Sequence, residues 1–156
     1  MKAIRSLVTA LGLAFVLPVA ADAAATDPEV LLYRFPSVVD NGGTDDTGVA
    51  TAFHCTNFSG VPENVRFVTR GPTGNLTSNQ AVNIQHLQSS TAATHHTVAY
   101  QELGLTTGVV NQGTTAIAAT SINVICTAMT IDASTTVPIG VALRGIRFNP
   151  VPGSQE

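Results

Sequence analysis

Tryptophan is absent from the 156 residues, and lysine occurs once, at Lys2. Cysteine occurs only at Cys55 and Cys126, and aromatic residues make up 5% of the chain. Sugar-binding modules rest on flat aromatic platforms, so that role has little here to stand on. Charged residues are 11%, against a globular norm of about 25%, and the polar surface must come from Thr, Ser, Asn and Gln. Beyond residue 24 no apolar run approaches the roughly 20 residues that span a bilayer. Cations are scarcer still past the N-terminal segment: only Arg34, Arg66, Arg70, Arg144 and Arg147 remain, against nine acidic residues. Capture of nucleic acid or anionic lipid needs clustered cations that displace counterions, so neither partner is expected from the composition.

What is present at the start is an export signal. Lys2 and Arg5 form a positive n-region, Leu7–Val16 an apolar stretch, and Ala21-Asp22-Ala23 a small-residue cleavage site. The reading is a signal peptide over 1–23 and one exported domain over 24–156, periplasmic or extracellular. In an oxidising compartment an isolated cysteine pair is expected to bond, which predicts a Cys55–Cys126 bridge.

Along the remaining chain the periodicity is two, the period of strands. Val30–Phe35 reads as a strand stopped by Pro36. Gly48–Phe58 sets Val49, Thr51, Phe53 and Cys55 on one face, and Asn64–Arg70 alternates Val65, Phe67 and Thr69 against Arg66, Val68 and Arg70. Gly71–Asn75 is a turn by composition. Extended stretches follow at Ala81–Gln88, Thr97–Tyr100, Thr114–Ala119, Ser121–Asp132 and Pro138–Phe148, with a bulge or strand end at Gly145. Ser89–His96 fits strand or helical turn. Phe35, Phe53, Phe67 and Phe148 are expected in the core. Without a long amphipathic helix, the pattern predicts an all-β fold: an antiparallel Ig-like β-sandwich of seven or eight strands with one disulfide.

The runs Phe35–Gly43, Ala50–Ser59 and Val65–Val68, ending at Gly74, resemble a layout found in exported bacterial Ig-like sandwich domains. There, a Pro-containing first strand and an Asp/Gly loop lead to a strand ending in Asn-x-Ser. Gly113–Asp132 is similar to the last core strands of such domains. The resemblance implies the sandwich and carries no catalytic residue with it.

Chemistry-bearing residues are few. His54, His86, His95 and His96, with Asp40, Asp45 and Asp46 of the loop Asp40–Gly48, are the metal-ligating types present. Adjacent His95 and His96 point to opposite faces of a strand, and the Asp loop fits no standard Ca²⁺ spacing, so the histidines read as surface or edge residues and the loop as an acidic turn. No Gly-x-Ser-x-Gly elbow, Ser-x-x-Lys pair or phosphate loop occurs, and no catalytic residue and no cofactor are assigned. Asn57-Phe58-Ser59 and Asn75-Leu76-Thr77 match the N-glycosylation triplet. The expectation is a non-catalytic module that binds a protein or cell-surface partner, self-association included, through the irregular Ser89–Tyr100 segment with His95, His96 and Thr97 as contact residues. The alternative is a periplasmic binding protein for a metal ion or small ligand.

Overall fold

In a computed structural model, residues 28–42 and 44–148 are described; the expected leader lies outside them. Ten strands form: β1 (Val30–Asp40), β2 (Val49–Asn57), β3 (Glu63–Arg70), β4 (Leu76–Ile84), β5 (Ser89–Ala93), β6 (Glu102–Gly104), β7 (Val110–Ala119), β8 (Val124–Asp132), β9 (Gly140–Leu143) and β10 (Ile146–Arg147). The first sheet runs β10-β1-β7-β3-β4 and the second β6-β5-β2-β8-β9. Pairing is antiparallel except for the short β5–β6 contact. The expected seven or eight strands become ten because β6, β9 and β10 are edge pieces of two to four residues. Pieces that short carry too little alternation to register in the sequence.

One core takes side chains from both sheets, among them Phe35, Val65, Phe67 and Ile117 of the first and Phe53, Cys55, Ala92 and Val124 of the second. Phe53 is the hinge of this packing. Its ring lies 5.7 Å from that of Phe35 and 6.1 Å from that of Phe67, so one side chain of the second sheet touches two strands of the first. Phe148 is the exception among the expected core aromatics: it is half-buried outside the core, under the Arg34 guanidinium at 5.9 Å.

Cys55 and Cys126 are bonded. They stand opposite each other on β2 and β8, neighbouring strands of one sheet, with Cα atoms 4.2 Å apart. That is the close pairing of an antiparallel ladder, whereas the bridge of antibody domains joins two sheets.

Pro36 does not stop β1. It pairs with Thr114 of β7, and the strand continues to Asp40. Proline lacks only a donor, and β10 covers no more than Tyr33 and Arg34, so the side of β1 facing away from β7 is a free edge at Pro36, where no ladder bond is lost. The irregularity falls one residue later, at Ser37, whose φ of 62° marks a bulge.

Two further stretches depart from expectation. The ladder of β4 starts at Leu76 and ends at Ile84, and Gln85–Gln88 is a turn closed by Gln88 N–H to the Gln85 carbonyl at 3.0 Å. Thr97–Tyr100 is not a strand. Its donors go elsewhere, Thr97 N–H to the Glu102 carboxylate at 2.5 Å and Val98 N–H to the Ala133 carbonyl at 2.9 Å. The segment buckles over the outer face of the second sheet, where Tyr100 packs with Met129 on Ala52, Ala93 and Ile131. Gly145 does separate two strands, and its missing side chain matters: a Cβ there would stand 2.4 Å from the Phe35 ring.

Candidate functional site

At one end of the sandwich the Asp40–Gly48 loop meets the segment after β5, so the acidic turn and the irregular stretch singled out in the sequence are neighbours in space. Asp46 N–H donates to the His96 carbonyl at 3.0 Å. Asp40 closes β1 with a carboxylate 2% exposed. Its Oδ1 accepts Gly42 N–H at 2.8 Å, and its Oδ2 accepts the Thr107 hydroxyl at 3.0 Å. His95 Nδ1 stands 3.0 Å from the same Oδ2, off the hydrogen-bonding direction. On its other side His95 Nε2 faces the Thr47 carbonyl at 3.0 Å. A carbonyl only accepts, which assigns the hydrogen to Nε2.

This geometry decides what the pair can do. An Asp–His couple activates a nucleophile when the far ring nitrogen meets a hydroxyl or thiol; here it meets a backbone carbonyl, and the couple fixes a loop. A cleft of about 440 Å³ lies alongside, between Asp40, Asp45, His95 and Val109, but Asp40 is already engaged by three neighbours within the chain.

His96 takes a different set. Its Nδ1 lies 3.6 Å from Asp46 and 3.4 Å from Glu102, with the histidine half exposed and the Glu102 side chain fully buried. The two adjacent histidines therefore do point apart. His54 and His86 are not part of this end: His54 Nδ1 pairs with Thr91 Oγ1 at 3.0 Å under the Tyr100 ring, and His86 Nδ1 accepts Gly60 N–H at 3.0 Å. Burial pushes the His54 imidazole below the ordinary histidine range. Among the described residues no group of three or more His, Cys, Asp or Glu is arranged to hold a metal ion.

The expected contact residues need correcting. His95 is 9% and Thr97 2% exposed, because the buckled segment turns both inward; of the three only His96 presents itself to solvent. Asn57 is buried with its amide bonded to the Val61 and Ile84 carbonyls, which leaves Asn75, exposed in its turn, as the reachable one of the two triplets.

A second surface was missed by sequence reasoning. β9 ends the second sheet, paired with β8 on one side only. Val141 on β9 and, in the segment leading into it, Val137 and Ile139 are 71%, 65% and 72% exposed, while Leu143, two residues after Val141, packs on the core. The signal was legible as Val-x-Ile-x-Val-x-Leu; the small residues between hid it inside the longer Pro138–Phe148 stretch. The chain matches no family model, no curated protein and no solved structure.

Proposed function

We propose that the chain is an exported, non-catalytic β-sandwich module that works by binding a protein partner along the β9 edge. The observation that carries this reading is the exposed row Val137–Ile139–Val141 beside an edge strand. An apolar row next to unpaired backbone groups is a template for an added strand, with main-chain bonds giving affinity and alternate side chains giving selectivity. Monomers blunt such edges with charge or proline; β9 itself carries neither, and Pro138 stands in the segment just before it. The buried disulfide fits an oxidising compartment outside the cytoplasm.

The test is a photo-crosslinking residue placed at position 139 and, as a control, at exposed Leu76 on the other sheet. A discrete adduct in the native envelope is expected from 139 alone. Light scattering on the purified protein then separates self-association from a foreign partner. Equal adducts from both positions, or none from 139, would remove the β9 edge from consideration.

A further inference from the structure

Arginines are few past the N-terminal segment, but the fold brings three of the five, Arg34, Arg66 and Arg70, to one face, while Arg147 pairs with core-facing Tyr33 and bonds the Ile122 carbonyl away from it. On β3, Val65, Phe67 and Thr69 are buried, so Arg66 and Arg70 stand on the outer face of the first sheet. On β1, buried Tyr33 and Phe35 put Arg34 on the same face. The register ties them together: Arg34 pairs with Ala116, which pairs with Val68, between the rows of Arg66 and Arg70. With strands about 4.8 Å apart, Arg34 lies roughly 10 Å across the sheet from β3. Arg144 flanks this face at the β10 edge, where it lines a cleft of about 580 Å³ with Pro36, Ile146 and Arg147.

Two features make the face distinct from an ordinary charged surface. Its floor between the guanidiniums is small and flat, with Thr114, Ala116 and Ala118 on β7. Its charge is only partly compensated: Arg66 pairs with Glu29 at 2.7 Å, Arg34, Arg70 and Arg144 have no carboxylate partner among the described residues, and Asp40, Asp46 and Glu102 stand by the two histidines at the loop end. Apolar side chains sit among the cations at the β10 edge, Ile146 being 46% exposed and Phe148 half-buried beneath Arg34.

We propose that the outer face of the first sheet docks on the phosphate plane of an anionic lipid bilayer. The guanidiniums are spread over a sheet and do not converge on one point, which suits a plane of phosphates better than a single small anion. Guanidinium is the cation that pairs with phosphate through two parallel N–H bonds. The mixture of arginine with exposed Ile146 beside a cleft is the amphipathic edge that interfacial binding uses. The inference goes beyond the β9 reading and does not rest on it, since the two surfaces belong to different sheets.

The experiment is sedimentation of the exported protein with vesicles of phosphatidylcholine, with and without phosphatidylglycerol. Binding is expected only with phosphatidylglycerol, fading as salt rises from about 0.05 to about 0.5 M. The R34Q/R70Q/R144Q variant should bind on the order of a hundredfold more weakly, from about fivefold per guanidinium, with an unchanged melting temperature as the folding control. Glu29→Gln, which removes the single carboxylate paired with this sheet's arginines among the described residues, should bind about fivefold more tightly and supports the proposal even where the triple variant folds poorly. Equal binding to both vesicle types, full binding by a folded triple variant, or loss of vesicle binding to an equal charge of inorganic phosphate or polyglutamate would overturn it.

Discussion

Asp40 and His95 show how far apart two neighbouring residue types can be in consequence. Removing Asp40 takes away the acceptor of the Gly42 N–H and one of three acceptors around the Thr107 hydroxyl, which keeps the Gly108 and Thr94 carbonyls, and a buried polar group left without its partner costs about 1–3 kcal/mol. Asp40→Ala and His95→Ala should each lower stability by that order in urea unfolding, whereas His96→Ala, at a half-exposed position, should stay within about 0.5 kcal/mol. Equal effects from the two histidines would mean that the loop is not pinned as described. His54 gives a pH dependence. Its imidazole is held below the ordinary histidine range by burial, so the unfolded chain takes up the proton first as pH falls. Stability is therefore full above pH about 6.5 and declines as pH falls from there toward the folded-state value. Thermal unfolding from pH 7.5 down to 5 should show this decline, and His54→Gln should flatten it. The histidines were visible in the sequence, and so was the opposite parity of His95 and His96. The burial of His95 and Thr97 was not, because Glu102, the group that captures Thr97 N–H, looks in sequence like any surface acid.

Among the elements, those that obey period two were legible. β2, β3 and β8 lie close to where alternation puts them, because each turns one row of side chains to the shared core and a shift of one residue would turn that row away from it. β1 was cut short at Pro36 since proline reads as a stop; only the knowledge that β10 covers two residues of β1 shows why it is tolerated. The Thr97–Tyr100 stretch was misread because Thr-Val-Ala-Tyr has strand propensity, and tertiary bonds to Glu102 and Ala133 override it. The link between β2 and β8 is the element-scale feature with the largest energetic weight. Closing a loop of 71 residues constrains the unfolded chain by about 4 kcal/mol. A Cys55→Ala/Cys126→Ala variant should lose about 2–5 kcal/mol, checked by melting with and without reductant, which should move the parent toward the variant and leave the variant unmoved. Alkylation of the unreduced protein should add nothing to its mass.

For the whole molecule, composition and placement give different answers about charge. Counting residues yields an acidic chain with too few cations to hold an anionic surface, and that count is correct as far as it goes. Strand parity and register then carry Arg34, Arg66 and Arg70 to the outer face of one sheet and the histidine-bound acids to the loop end of the sandwich, so the charges are segregated although the net charge is −3 at pH 7. No window along the sequence contains this, since the arginines lie on β1 and β3 and meet only through β7, which has no charge of its own.

The bridge between β2 and β8 also sets the covalent topology of the chain. Everything from Thr56 to Ile125 belongs to a closed ring, including all of β3, β4, β5, β6 and β7, while β1, β9 and β10 hang from it as two arms. A protease that cuts a surface turn inside the ring, such as Gly71–Asn75, produces two polypeptides that remain one molecule. Wherever the bridge stays oxidised, such a nick opens the ring without releasing a fragment.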